Sequence, residues 1–389
     1  MGPFALKLET IQLLLRAYRD PSRGIAIIRC KQDNFGDILV EDAIEAMLPE
    51  MAIQTLAKTS KTQALDKLVG LRRFYKYCAL GGGTLIFAPR GIGWLENLEY
   101  LVQRTTPLFA FGTGVIDPEF LHAQHERSPE RPPADPESLA AWIACLSHFK
   151  FLSVRGVESQ RILTEHGLPD VEIVGDPALF YARQTLEPRS PGRRIGVNVS
   201  DQPPFWGDSL PSTIEKMTAT IRLLEQDGWT VTLLPTMPEE EPLSRALAGE
   251  IGSSRVSVFR DYLNARRFLE VVSDQDLLVG VKLHSVIAAC CMTTPAVMIG
   301  YQPKCHDFMR TMDLEEYLIR TDHLDLDDLM SLIREVHADP EPLRRRQFTR
   351  CKVYRSRLLN FRDRVLESVG IAAPEKDRSL SYPSATATN

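Results

Sequence analysis

The chain offers no pattern for a disulfide framework or a zinc site. Its seven cysteines are Cys30, Cys78, Cys145, Cys290, Cys291, Cys305 and Cys351. They are odd in number, most stand in apolar contexts, and none shows CxxC spacing. They read as reduced, mostly buried thiols, which suits a cytoplasmic protein. No His, Cys, Asp or Glu cluster suggests a metal, and none is expected. No apolar run reaches the length of about 20 residues that a spanning helix needs. Residues 1–19 lack the basic start, compact apolar core and small-residue cleavage site of a secretory signal. A net charge of -5 argues against general nucleic-acid binding, while leaving room for a local basic pocket that holds a small anion. The three-glycine dinucleotide fingerprint is missing, so no nicotinamide cofactor is expected. No Lys-Ser/Thr follows a glycine loop, which excludes a Walker A site. Nothing resembles a repeat array.

What is present is a series of strand, glycine turn and helix. At 389 residues the chain is long enough for two domains with separate cores. Arg23–Cys30 reads as a first parallel strand that runs into Asn34-Phe35-Gly36-Asp37 and a helical pattern from Ile38. Here Asp37 can accept from a ligand hydroxyl or cap the helix. Tyr77–Leu80 leads into Gly81-Gly82-Gly83, three glycines that fit either a close ligand approach or tight strand–helix packing. Pro107–Phe111 is a further buried strand, with Gly112-Thr113-Gly114 as its turn. Phe151–Gly156 is a strand that ends in a cation, Arg155, and Val171–Ala178 is the last strand of the first half. Asp176 before Pro177 fixes a turn. Residues 126–138, rich in Pro and charge, read as a surface loop.

The stretch Glu187–Gly192 is the best linker, by its Pro and Gly content. The α/β pattern then restarts at Arg194–Ser200. Phe205 and Trp206 fit a loop anchor or a platform for a sugar face. Glu239-Glu240-Glu241 reads as a solvated helix start. Ala5–Leu15 reads as an amphipathic helix that packs on the body of the protein in preference to a membrane surface. Residues 340–368 read as a basic helix able to pack back across both domains, and from about Ala373 a frayed tail is expected.

Leu277-Leu278-Val279-Gly280-Val281-Lys282-Leu283-His284-Ser285 carries the most chemistry. Its apolar start reads as a strand buried on both faces. Val286–Cys291 reads as the helix that follows, with Ser285 as its N-cap. Lys282, His284 and Ser285 then lie at the C-terminal edge of a parallel strand beside a helix N-terminus, where open α/β sheets bind ligands and anions are favoured. The competing reading is a buried histidine satisfied by a carbonyl and a lysine that reaches solvent. Pro295–Tyr301 is the next strand, and it delivers Tyr301, Lys304 and His306 to the same edge. His306 is a second candidate acid or base, although Cys305-His306-Asp307 reads equally as loop packing. The fold class that follows is α/β, with two Rossmann-like domains facing a cleft, over residues 1–187 and 188–389.

Asn34-Phe35-Gly36-Asp37, Gly81-Gly82-Gly83, Phe111-Gly112-Thr113-Gly114, Ser153-Val154-Arg155, Gly175-Asp176-Pro177, Lys282-Leu283-His284 and Tyr301-Gln302-Pro303-Lys304 occur in that order. Taken together, their order and spacing resemble the polysaccharide pyruvyl transferase family, over roughly residues 24–310. The resemblance implies a GT-B-like architecture. It also implies transfer of the enolpyruvyl group of phosphoenolpyruvate to a sugar, giving a cyclic pyruvate ketal and phosphate. No cofactor is implied, because phosphoenolpyruvate is itself the donor substrate. The implied catalytic residues are His284, Lys282 and Arg155, with Ser285, Tyr301, Lys304 and Leu283 at the donor. The first domain takes the acceptor side, through Asn34, Gly36, Asp37, Gly82 and Gly83, and the second the donor side. The acceptor can be a lipid-linked oligosaccharide, which would bring the protein to a membrane surface peripherally. Two departures stand out. Lys282 replaces the family's usual arginine, keeping the charge and losing the bidentate fork. Gly156 stands where an aspartate often follows Ser-x-Arg, removing a partner of Arg155. A nucleotide-sugar glycosyltransferase and a non-catalytic partner in polysaccharide assembly are the other classes the sequence allows.

Overall fold

A computed structural model describes residues 23–30, 33–56, 75–103, 107–189, 192–201, 206–207 and 210–373. The expected amphipathic helix at Ala5–Leu15, Ser190 and Pro191 of the linker, Phe205, and all but the first residue of the C-terminal tail lie outside these residues. Among the described residues, one compact unit holds those up to Cys30, Val40–Pro177 and those from Arg357 onward. A second holds Asp33–Leu39 and Ala178–Ser356. We call them unit 1 and unit 2.

Unit 1 is built on a seven-stranded sheet of β1 (Gly24–Ile28), β2 (Ala52–Leu56), β3 (Tyr77–Leu80), β4 (Thr84–Ile86), β5 (Leu108–Val115), β6 (Phe151–Val154) and β7 (Val171–Ile173). The order is β2-β1-β3-β5-β6-β7, with β4 beside β5 and all pairs parallel. β1, β3 and β5 are buried at every residue, which is why they appear in sequence as continuous apolar runs. Among the described residues the helices of this half are α1 (Phe35–Met47), α2 (Trp94–Val102), α3 (Pro118–Arg127), α4 (Pro136–Leu146) and α5 (Val157–Glu165). Asp117 and Asp135 cap α3 and α4, each followed by a proline in the first turn. The core includes Trp142, fully buried, whose indole N–H donates to the Ala88 carbonyl at 3.0 Å.

Two expectations change here. Gly112-Thr113-Gly114 is not a turn after a strand, because β5 runs through it to Val115. The pairing slips between Ala110 and Thr113, a bulge, and Gly112 takes φ 58° within it. A Cβ at Gly112 would overlap the Gly175 carbonyl oxygen, so both backbone conformation and close approach require glycine. The strand expected over Val171–Ala178 ends at Ile173, and Pro177–Tyr181 forms a 3-10 turn. Pro177 lacks the N–H that would continue the ladder.

Unit 2 is a six-stranded parallel sheet of β8 (Arg194–Asn198), β9 (Thr230–Leu233), β10 (Val256–Val258), β11 (Leu277–Gly280), β12 (Ala296–Gly300) and β13 (Leu318–Arg320), in the order β10-β9-β8-β11-β12-β13. This is the doubly wound order, with the winding direction reversing between β8 and β11. Its helices are α6 (Leu210–Gln226), α7 (Glu240–Ile251), α8 (Ala265–Ser273), α9 (Leu283–Met292), α10 (Pro303–Thr311) and α11 (Leu326–Ala338). The basic helix expected over residues 340–368 is α12 (Glu341–Ser368), whose residues to Ser356 group with unit 2 and those from Arg357 with unit 1. Within unit 1 its Phe361 meets Phe111 and Phe151 edge-on. No helix among the described residues is long and apolar enough to cross a membrane.

Candidate functional site

The reversal between β8 and β11 places two strand ends side by side, Asn198 on β8 and Gly280 on β11. Helix α9 begins directly after β11. Its N-cap is Lys282, in extended conformation, not Ser285. Ser285 lies in the first turn, fully buried, and its hydroxyl donates back to the Lys282 carbonyl at 2.6 Å. Gly280 makes this possible, because a Cβ there would overlap the Ser285 hydroxyl. The expected cap is thus displaced by three residues. Lys282 and His284 stand at the positive end of the helix. The Leu283 side chain is core, 2% exposed, so only its backbone is available to a ligand.

Lys282 is held at both ends. Its backbone N–H donates to Asn198 Oδ1 at 2.7 Å. Its ammonium faces Glu240 Oε1 at 3.8 Å and lies over the Tyr301 ring at 5.2 Å. Lys304 also lies over that ring, at 4.9 Å. Tyr301 follows β12 directly and is 4% exposed, so the edge of unit 2 presents two cations on one buried aromatic. Burial lowers the pKa of Lys282 below that of an ordinary lysine, against the opposing pull of Glu240, Cys305 and Asp201. Lys282 is not a side chain that simply reaches solvent.

Glu240 was hidden within the acidic run. That run is not a uniformly solvated helix start. Glu239 is exposed and Glu241 half-buried, but Glu240 is fully buried at the first residue of α7. Its Oε2 accepts from the Thr236 N–H (2.8 Å), the Thr236 hydroxyl (3.0 Å) and Asn198 Nδ2 (3.1 Å). Thr236 lies three residues beyond β9 and Asn198 on β8, so the anchors come from other elements and the run itself does not mark Glu240 as the buried one.

Residues 33–39 group with unit 2, although the rest of α1 groups with unit 1. The Phe35 N–H donates to the Thr236 carbonyl at 2.7 Å, and the Phe35 ring stacks on Phe268 at 3.8 Å. Gly36 abuts the His284 ring so closely that a Cβ would overlap Nδ1 and Cγ. Asn34, not Asp37, caps α1: its Oδ1 accepts from the Asp37 N–H at 2.8 Å. Asp37 Oδ2 in turn accepts from Asn34 Nδ2 at 2.8 Å. Glu240, Lys282, Tyr301 and Lys304 thus form one chain of contacts at this sheet edge, and Gly36, two residues after Asn34, meets His284 beside Lys282.

Arg155, Gly82 and Gly83 belong to unit 1. Arg155 is 1% exposed, and its guanidinium pairs with Asp176 at 3.5 Å and donates to Thr84 Oγ1 at 3.2 Å. Asp176, from Gly175-Asp176-Pro177, thus supplies a carboxylate where the position after Arg155 is Gly156. Gly82 is packed tightly, since a Cβ would lie 2.6 Å from Val40 and 2.9 Å from Pro177. Trp206 is half-buried in unit 2, tied through its backbone to Tyr301 (2.9 Å) and Thr321 (2.8 Å), with Arg320 stacked over its ring at 4.5 Å. His306 sits on α10, not in a loop, between the buried Cys305 and Asp307. Among the described residues no group of three or more His, Cys, Asp or Glu is placed to hold a metal ion.

A family model described as polysaccharide pyruvyl transferase matches residues 34–303. A search of curated proteins gives no match. Among solved structures, the S. aureus MnaA–UDP complex aligns with a TM-score of 0.57 at 11% identity, over 91% of this chain and 99% of that one. The Neisseria meningitidis UDP-GlcNAc 2-epimerase bound to UDP-GlcNAc gives 0.52 at 8%, over 89% and 98%. Sucrose-phosphate synthase from Thermosynechococcus elongatus gives 0.51 at 15%, over 89% and 96%. These likenesses establish the fold, an α/β arrangement of two Rossmann-like units of the GT-B type.

Proposed function

Because the chain belongs to the polysaccharide pyruvyl transferase family, we propose that it moves the enolpyruvyl group of phosphoenolpyruvate onto a sugar of a polysaccharide or its precursor. Two hydroxyls of the sugar are bridged as a pyruvate ketal, and phosphate leaves. The observation that supports this donor most is the paired placement of Lys282 and Lys304 over Tyr301 at the switch point of unit 2, beside the N-terminus of α9. A donor bearing a carboxylate and a phosphate asks for more than one cationic subsite. In this reading Lys282, Lys304 and the first turn of α9 at Leu283 and Ser285 hold the donor.

The reaction protonates C3 of the enol, and a sugar hydroxyl adds to C2. The C2–O bond to phosphate breaks, and a second hydroxyl of the same sugar closes the ring. Of the two hydroxyl protons, one is balanced by that gained at C3 and the other by phosphate. His284 is the general acid and base for these transfers. Lys282 stabilises the charge that develops on the leaving phosphate. Asn34, Gly36 and Asp37, on the turn whose Gly36 abuts His284, are assigned to the acceptor. The acceptor is a sugar, such as a lipid-linked oligosaccharide met at a membrane surface, and the buried thiols accord with a reducing cytoplasm.

The test is product analysis. Incubation with phosphoenolpyruvate and a panel of sugar acceptors is expected to release phosphate and give a product heavier by pyruvic acid less water. His284→Ala is expected to lower turnover by about 100-fold or more. Glycosyl transfer from a nucleotide sugar, with phosphoenolpyruvate left intact, would overturn the proposal.

A further inference from the structure

On the reading that Lys282 meets the donor, we propose that Glu240 is its positioning residue, a buried carboxylate that fixes where the ammonium stands and keeps it charged. The argument starts from burial. Glu240 is 0% exposed, and a carboxylate withdrawn from water is unfavourable unless it is paired and hydrogen-bonded. Among the described residues, the three hydrogen bonds its carboxylate accepts all go to one oxygen, Oε2, from Thr236 and Asn198. Oε1 accepts none among the described residues and faces the Lys282 ammonium at 3.8 Å. Half of the carboxylate thus anchors the residue, and the other half points at the lysine.

The anchors also bear on the lysine and its neighbours. Asn198 donates to Glu240 with Nδ2 and accepts the Lys282 backbone N–H with Oδ1, so one amide ties carboxylate and lysine together. Thr236 gives Glu240 its N–H and hydroxyl, and its carbonyl takes the Phe35 N–H next to Gly36, which abuts His284. A helix start that needed only a hydrogen-bond acceptor would be served by a glutamine. The feature glutamine cannot reproduce is the negative charge at Oε1. The other titratable groups that act on Lys282 are Cys305 on α10 and Asp201 after β8, and its ammonium lies over the Tyr301 ring, which Lys304 on α10 also faces. Burial alone pulls Lys282 toward its neutral form, and Glu240 is the largest opposing influence.

The experiment is a pH titration of the full chain labelled with [13Cε]lysine, read by NMR, with Lys282→Arg used to assign the Lys282 resonance. Glu240→Gln is expected to lower the Lys282 midpoint by about one pH unit or more while the other lysines stay in place. Glu240→Asp, which keeps the charge but withdraws it by one methylene, is expected to give a smaller decrease. It is the variant to rely on if the glutamine form does not fold. An unchanged Lys282 midpoint in a folded variant overturns the proposal. Because no ligand is present, the result stands apart from the choice of donor. Binding of phosphoenolpyruvate measured in parallel is expected to fail at lower pH in Glu240→Gln than in the wild type. Absence of binding by the wild type would sink the transfer reading and leave the Glu240 result in force.

Discussion

At Gly36 the backbone itself meets the imidazole ring of His284. The position is in the first turn of α1, where alanine would ordinarily be favoured over glycine by about 1 kcal/mol. Here the His284 ring occupies the space a methyl would need. Gly36→Ala is therefore expected to cost about 1–3 kcal/mol and to lower the melting temperature. In the background of His284→Ala the same substitution is expected to be neutral or stabilising, which a double-mutant thermal series checks. Lys282 and His284 were legible in the sequence because an apolar run that ends abruptly in a cation and an imidazole marks a buried strand arriving at a polar sheet edge. Glu240 was not legible. In a run of three glutamates nothing local distinguishes the one that turns inward, and its burial is set by Asn198 and Thr236, which arrive from β8 and from the loop after β9. The Lys282 midpoint matters at this scale too. Its pKa is lowered by burial, so donor binding is expected to be full at neutral pH and to fall as pH rises through that lowered value, earlier than for an ordinary lysine. An affinity series from neutral to alkaline pH reads this directly.

The elements that carry these residues were largely visible as strands, because parallel strands buried on both faces leave continuous apolar runs. Their ends were less visible. Helix α9 starts at Leu283 and leaves Ser285 inside its first turn, since Gly280 lets the Ser285 hydroxyl fold back to the Lys282 carbonyl. The β5 bulge escaped for a related reason, as glycine marks a turn and a bulge alike. Helix α1 offers a test of its cap. Asn34→Ala removes the acceptor for the Asp37 N–H and is expected to cost about 1 kcal/mol, measured by denaturant unfolding. The β6 and β7 ends offer another. Arg155 and Asp176 are 1% and 0% exposed, and Asp176→Asn leaves a buried guanidinium without its charge partner. The expected loss is about 3–5 kcal/mol, and most of it should return in the Arg155→Leu, Asp176→Leu double variant.

For the whole chain, seven free thiols and six of them buried describe a protein that needs no cross-link. Burial pushes Cys78 and Cys290 up to about 12 and Cys145 up to about 11, so these thiols are expected to resist a thiol reagent at mildly alkaline pH until the chain unfolds. Labelling counts before and after denaturation check this, and a reductant is expected to leave the melting temperature unchanged. The division into two α/β halves was legible from the restart of the strand pattern at Arg194. That residues 33–39 group with the second half was not, because sequence position says nothing of the partner that Phe35 and Gly36 find there. The central claim is that Lys282, beside His284 at the switch point of unit 2, belongs to the site for phosphoenolpyruvate. Its most direct measurement is calorimetric titration of phosphoenolpyruvate and of UDP into the wild type and Lys282→Ala. The expected result is saturable binding of phosphoenolpyruvate that weakens by about tenfold or more in Lys282→Ala, with no binding of UDP. Equal affinity in the two proteins, or binding of UDP in place of phosphoenolpyruvate, would contradict it.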